Sequence, residues 1–221
     1  MKRIWKAPVV FVVISFLLFA CGGGERVSKE VFDEVNENME VKRLTEAEIL
    51  QEAMIWGDSI TLEAQSQLIS ALTNAISENG TSGAVEFCNI QALPILSEVS
   101  EQYGVELRRA SNRYRNPADK PNSEEEAILE AYEYNAENNL QSDPNIQKID
   151  GGETYLYTKA IKIPSAFCLS CHGTPGTDIE DETLGMIDKL YPDDNAKGHE
   201  IGDLRGMWSL RIPKSEVVKR M

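Results

Sequence analysis

The feature that most constrains the fold of this chain is a long run of apolar residues spaced three or four positions apart. The run consists of Ile49, Ala53, Trp56, Ile60, Ala64, Leu68, Leu72 and Ile76. This spacing is typical of one face of an α-helix. Thr45 and Glu48 have the pattern of a capping box before it, and Asn79-Gly80 is a pair that commonly ends a helix. The sequence therefore predicts a long helix with one face in a core.

A second helix is predicted to start near Ser82-Gly83 and to end at Gly104. Its apolar face holds Val85, Cys88, Ala92, Leu96, Val99 and Tyr103. Pro94 lacks an N–H and its ring collides with the carbonyl four positions earlier, so we expect a kink or a restart there. Residues 105–111 then alternate in polarity, which predicts a half-buried strand.

The second half of the chain predicts one more helix and two strands. Residues 123–126 have a capping-box pattern, and the helix that follows should end before Ser142. The segments Thr154 to Ile163 and Met207 to Ile212 are rich in β-branched and aromatic residues, and a proline follows each. We therefore expect an α+β fold over residues 45–221, with long N-terminal helices, a small antiparallel sheet and a long loop inserted before the last strand.

The N-terminus resembles the signal of a bacterial lipoprotein. Residues 1–20 begin with basic residues, continue as an apolar run and end at Ala20-Cys21, which three glycines follow. The apolar run is shorter than the roughly 20 residues that a membrane-spanning helix needs. We therefore expect lipidation of Cys21, a tether over residues 21–44 and a location on the periplasmic side of a membrane. An uncleaved anchor helix is the alternative.

The charge of the chain excludes one class of partner. The formal net charge is −14, and residues 1–20 contain three basic residues and no acidic ones, so their removal makes the charge more negative. A strongly acidic chain is poorly suited to bind nucleic acid.

The segment Cys168-Leu-Ser-Cys171-His172 is the C-x-x-C-H pattern of covalent c-type haem attachment. Two thiols at this spacing add to the two vinyl groups of haem, and the next histidine reaches the iron. Zinc would need four ligands, a thioredoxin-like pair would need a βαβ context, and a Cys168–Cys171 disulfide would constrain little. One haem c is therefore the predicted cofactor.

The second axial position of the iron stays open at this stage. The candidates are Cys88, His199, a methionine or none. Cys88 is the one cysteine without a predicted role, whereas His199 is expected to be a solvated loop residue. Met186 and Met207 lie in apolar runs and are expected in the core.

Haem propionates need cations, and Arg108, Arg109, Arg113 and Arg115 are close together in the sequence. Because guanidinium groups bind carboxylates with two donors, we expect Arg109 and Arg115 to bind the propionates.

Several motifs together resemble the DUF-type c-haem family with a PAS-like fold. They are Val85-Glu86-Phe87-Cys88, Leu107-Arg108-Arg109-Ala110-Ser111, Arg115-Asn116-Pro117, Cys168-Leu169-Ser170-Cys171-His172-Gly173 and the run from Gly202 to Leu210. The resemblance implies attachment through Cys168 and Cys171, proximal ligation by His172 and thiolate ligation by Cys88. His199 departs from the family pattern and offers the iron a competing imidazole.

The function expected from these features is that of a one-electron carrier. The chain would be a membrane-anchored monohaem cytochrome with a periplasmic redox or signalling partner. The alternative is a haem-based sensor of redox state or a diatomic gas that acts through a partner. No acid–base constellation surrounds the motif, so an enzyme is not expected.

Overall fold

The computed structural model describes residues 28–32 and 43–221. The chain divides into two compact units, Met1–Arg43 and Leu44–Met221. The predicted signal, the lipidation of Cys21 and most of the predicted tether lie outside the described residues. Residues 29–32 form one helical turn. Within the described residues, no helix has the length and apolar character needed to cross a membrane.

The helical stretch Glu46–Tyr103 consists of two segments that meet at Gly80, which has φ 70° and ψ 179°. We call them α1 (46–79) and α2 (81–103). The predicted capping box is present, because the Thr45 hydroxyl accepts from the backbone N–H of Glu48 and the Glu48 carboxylate accepts from that of Thr45. The left-handed Gly104 ends α2, as predicted. A kink or a restart was predicted at Pro94; helical backbone continues through this residue, so the restart is wrong.

The two segments pack against each other as an antiparallel hairpin. Trp56 near the start of α1 meets Tyr103 at the end of α2, with ring centroids 6.3 Å apart. The Tyr103 hydroxyl also donates to the carboxylate of Glu63. The reversal at Gly80 therefore brings the apolar faces of both helices to one side of the molecule.

A four-stranded antiparallel sheet completes the α+β fold, with strand order β1-β4-β3-β2. The strands are β1 (Glu106–Ala110), β2 (Asn145–Ile149), β3 (Thr154–Lys162) and β4 (Leu204–Pro213). The central pair, β3 and β4, is also the pair that flanks the long insertion. The remaining helices are α3 (Ser123–Glu137), α4 (Ala166–His172), α5 (Asp181–Leu190) and α6 (Lys214–Arg220).

Both faces of the sheet are covered. The face with Tyr157 and Leu210 packs against α1, α2 and α6, while the face with Leu156 and Met207 packs against α3. Gly57 of α1 lies so close to the sheet that a Cβ there would be 2.5 Å from the ring of Tyr157. The hairpin is therefore seated directly on the central strands.

Several details differ from the sequence-based predictions. Helix α3 is capped by Asn122, whose side chain accepts from the N–H groups of Glu124 and Glu125, and not by Ser123. An asparagine oxygen caps a helix as well as a serine oxygen does. Four short elements were not predicted, namely strand β2 and helices α4, α5 and α6. None of these three helices has the side-chain cap that would have marked its start.

Candidate functional site

Helix α4 carries the C-x-x-C-H segment in the insertion between β3 and β4. Cys168 and Cys171 lie one turn apart on this helix, and both are half-buried free thiols. Residues three apart on a helix share a face. The two thiols can therefore react with one group from the same side.

The end of α4 is fixed by hydrogen bonds to its terminal carbonyls. The Arg115 guanidinium donates to the carbonyl of Cys171 at 2.6 Å. The N–H of His199 donates to the carbonyl of His172 at 2.9 Å, and the N–H of Gly198 donates to that of Gly173 at 2.7 Å. Carbonyls at a helix end have no partner inside the helix, so these bonds hold the cysteine–histidine segment in place.

Gly173 follows the histidine because a larger residue does not fit there. A Cβ at this position would be 2.5 Å from the Cβ of Asp178. The Asp178 carboxylate accepts from the N–H of Thr174 at 2.8 Å, so its side chain is not free to move away.

Replacing Gly173 with alanine is therefore expected to lower the free energy of unfolding by about 1–3 kcal/mol, as overpacking does. Urea denaturation followed by circular dichroism measures the change. Gly185→Ala is the matched control, because a Cβ at that helical position meets no atom within 4 Å. Equal stabilities of the two variants would contradict the steric explanation.

The imidazole of His172 has the tautomer that a metal ligand requires. Its Nδ1 lies 2.9 Å from the carbonyl oxygen of Ala196, to which it must donate. Burial, followed by the positive charges of Arg205 and Arg115, holds the pKa of His172 well below its usual value. The ring is therefore neutral near pH 7, and its Nε2 carries a free lone pair.

Cys88 of α2 is a half-buried free thiol close to Cys171. An apolar cluster of Val85, Ile179, Ile187 and Tyr191 joins α2 to α5, and Cys171 packs against it. Burial, followed by the charge of Cys171, raises the pKa of Cys88, while Arg109 and Arg115 lower it. Cys88 therefore shares its electrostatic surroundings with the α4 cysteine and with both predicted arginines.

Arg115 is held in a buried ion pair. Its Nε lies 3.2 Å from Oδ1 of Asp194, and the two side chains are 11% and 1% exposed. Oδ1 of Asp194 also accepts a hydrogen bond from the N–H of Ala196. The carbonyl of Ala196 in turn accepts the hydrogen bond from Nδ1–H of His172. One carboxylate thus positions both Arg115 and the partner of His172.

Two further arginines have buried N–H groups that lack a partner. Arg109 is 3.5 Å from Asp119, yet its Nε is buried and makes no hydrogen bond within the described residues. The Nε of Arg205 is likewise buried and makes no hydrogen bond within the described residues. Burial, followed by the positive charges of Arg109 and Arg115, lowers the pKa of Arg205 to about 10. Buried donors normally have acceptors, so this region is suited to an anionic group.

His199 is fully buried, at 0% exposure, so the prediction that it is a solvated loop residue is wrong. The hydrogen bond from its backbone N–H to the carbonyl of His172 holds it in the interior. The two imidazole centroids are 6.2 Å apart. Its Nδ1 lies 3.2 Å from a guanidinium N–H of Arg113, which can only donate. Since burial, with the charges of Arg113 and Arg205, lowers the pKa of His199 to about 4, the neutral ring carries its proton on Nε2.

The structure brings Cys88, Cys168, Cys171, His172, Arg109 and Arg115 into one region. Sequence reasoning missed Arg205, Asp194 and the roles of Arg113 and Tyr191. Arg205 stands within the Gly202-to-Leu210 motif, so its place in that motif was the available signal. Met207 lies in the core, as expected. In the described part of the chain, no three His, Cys, Asp or Glu side chains are grouped so that they could hold a metal ion.

Comparison with known proteins gives a family for the chain. The model of the Tll0287-like family matches residues 26–213. Among solved structures, the cyanobacterial haem protein Tll0287 is 26% identical over 69% of this chain and 92% of that chain, with a TM-score of 0.49. Curated proteins gave no significant match. Because the family model matches most of its length, the chain belongs to the Tll0287-like family.

Proposed function

We propose that this protein is a monohaem c-type cytochrome that carries one electron on the periplasmic side of a bacterial membrane. The observation that carries the proposal is the arrangement at α4, where two free thiols share a face and the next residue is a neutral histidine with Nε2 available. Membership of the family supports it, since the solved protein with the family's name is a haem protein.

The surrounding residues fit a haem group. The propionates of haem need donors, and the buried Nε atoms of Arg109 and Arg205 are donors without a partner in the described residues. Nε2–H of His199 is a third such donor. In this proposal Cys168 and Cys171 hold the haem covalently, while the arginines bind its acidic edge. The bound haem supplies an iron that exchanges one electron.

In this proposal Cys88 would be the second residue to ligate the iron, together with His172. Burial, followed by the charge of Cys171, raises the pKa of this thiol, while the positive charges of Arg109 and Arg115 oppose the rise and would support a thiolate ligand. His199 is a poorer candidate, because the proton on its Nε2 occupies the lone pair that iron would need. A His/Cys pair places an anionic ligand on the iron, which favours the oxidised state.

The remaining parts of the proposal concern location and fold. The signal pattern of residues 1–20 supports export, and Cys21 supports a lipid anchor with a tether over residues 21–44. The four-stranded antiparallel sheet with helices on both faces supports a PAS-like domain. The haem would exchange electrons with a periplasmic partner, and the protein would perform no catalysis of its own.

A sensor is the second candidate function, and the raised pKa of Cys88 favours it. Burial favours the protonated thiol of Cys88 over its thiolate, so a Cys88 thiolate bound to the iron would be easily lost when the iron is reduced. The site would then be free to bind a diatomic gas. Spectra of the reduced protein with and without CO distinguish the two functions, since a carrier with both axial ligands retained does not react.

The test of haem attachment is expression of the chain together with c-type haem maturation proteins. The wild type is expected to keep haem in a denaturing gel and to show the mass of one haem. Cys168→Ala with Cys171→Ala is expected to lose all covalent haem, because both thioether bonds are removed. Cys88→Ala is the matched control and should keep it. A wild type without covalent haem would contradict the proposal.

A further inference from the structure

The indole N–H of Trp208 is a buried donor without an acceptor. The residue is 3% exposed, and its Nε1 makes no hydrogen bond within the described residues. An indole nitrogen can only donate, and a buried tryptophan N–H usually has a partner. Its cross-strand neighbour on β3, Lys159, cannot supply one, since a lysine cation only donates and this one pairs with Asp58 at 2.7 Å. The indole is therefore suited to an acceptor that the described residues do not contain.

The other cross-strand neighbour of Trp208 is Arg109 of β1. Side chains directly opposite each other in an antiparallel sheet project from the same face, with Cβ atoms about 5 Å apart. The pair two positions along, Leu107 and Leu210, lies in the core beneath the helical hairpin, so Trp208 and Arg109 project towards that side as well. Nε of Arg109 is also a buried donor without a partner. Two unpartnered N–H groups therefore belong to neighbouring side chains of one face.

The charge around these two donors favours an anionic acceptor. Arg109 is 3.5 Å from the Asp119 carboxylate through one terminal nitrogen, which leaves its Nε free. Burial, followed by the positive charge of Arg109, lowers the pKa of Arg205, so the two guanidinium groups lie near each other. A carboxylate has two accepting oxygens, so it can accept from the indole and from the guanidinium at the same time.

We propose that Trp208 is a cofactor-positioning residue, whose indole N–H and the Nε–H of Arg109 donate to the same haem propionate. The inference rests on the proposed function, because the acceptor is part of the haem. Nε of Arg205 and Nε2 of His199 are the other unpartnered donors of the site, and they remain for the second propionate. A planar group that is held at two edges cannot turn about its thioether bonds, so the Trp208–Arg109 pair would set the orientation of the haem.

Trp208→Phe in the haem-loaded full chain tests the proposal, because phenylalanine keeps an aromatic ring and lacks the N–H. The covalent haem should be retained, while the propionate bending band of the resonance Raman spectrum should shift to lower frequency as a hydrogen bond is lost. The reduction potential should fall, because the less compensated charge of the propionate stabilises the oxidised iron. Arg109→Met should change both readouts in the same direction. The two changes should not add in the double variant, since both contacts share one acceptor.

Trp56→Phe is the matched control. The Nε1 of Trp56 is also buried and unpartnered within the described residues, but its ring packs against Tyr103 and Arg220. This variant should leave the propionate band and the potential unchanged. If Trp208→Phe folds by circular dichroism and gives the same spectrum and potential as Trp56→Phe, the proposal is overturned, while covalent haem attachment and the proposed function stand.

A second measurement needs no variant of Trp208. In the isotope-labelled, reduced wild type, the indole nitrogen of Trp208 should resonate downfield of that of Trp56 in the NMR spectrum, because only the former donates a hydrogen bond. Equal chemical shifts would overturn the proposal even if Trp208→Phe did not fold. A wild type without covalent haem would overturn the proposed function and this inference together, and the gel and mass measurements detect that result separately.

Discussion

Haem-loaded Cys88→Ala protein is expected to lose the low-spin absorption and EPR signals of a six-coordinate iron. If Cys88 ligates the iron as proposed, its removal would leave His172 as the one strong protein ligand and would take away a negative charge that stabilises the oxidised iron. The reduction potential should therefore rise by an appreciable part of the roughly 0.8 V range that axial ligands span in haem proteins. Redox titration followed by absorption spectroscopy measures both effects.

His199→Ala is the matched control for this experiment. Its Nδ1 accepts from Arg113, so its Nε2 carries a proton and the low-spin spectrum should persist in the variant. The opposite pattern, with the spectrum kept in Cys88→Ala and lost in His199→Ala, would show that His199 is the ligand.

Asp194→Ala is expected to cause the largest loss of stability at the site, about 3–5 kcal/mol in the free energy of unfolding. Its carboxylate is 1% exposed and pairs with Arg115, so its removal leaves a nearly buried guanidinium without a counter-charge. It also removes the acceptor of the Ala196 N–H. Urea denaturation of variant and wild type in the same haem state measures the loss.

Asp188→Ala is the control for a carboxylate of the same segment. Asp188 pairs with Lys197 at 2.7 Å but is 57% exposed, so its loss should cost less than about 1 kcal/mol. Asp194→Asn separates the two roles, because an amide still accepts from Ala196 while the charge is lost. Similar losses for Asp194→Ala and Asp188→Ala would show that the buried pair is not a major source of stability.

Local patterns predicted much of the fold. The Thr45 capping box, the break at Gly80 and the left-handed Gly104 are properties of a few adjacent residues, and all three are present. The sequence left open whether the helix kinks or restarts at Pro94; the helix continues there, and Leu96 and Val99 beyond it pack in the core that includes the sheet. Strand β2 is short and mostly polar, and its place at the sheet edge comes from pairing with β3.

The site was predictable where it depends on spacing and unpredictable where it depends on distant contacts. The grouping of Cys168, Cys171 and His172 follows from three positions on one helix. The burial of His199 depends on backbone pairing with His172, a contact between segments that sequence alone does not join. Arg205 enters the site because β4 pairs beside β1, which brings it near Arg109.

The insertion that carries α4 and α5 joins the two central strands of the sheet, and its ends meet. The N–H of Ile163 donates to the carbonyl of Asp203, and that of Gly202 donates to the carbonyl of Ile163. Closing a loop of roughly 40 residues costs about 3 kcal/mol of chain entropy, and doubling its length would add only about 0.6 kcal/mol. The insertion can therefore grow or shrink in evolution at little cost to the sheet, so the size of the cofactor-binding segment is free to vary while the scaffold stays the same.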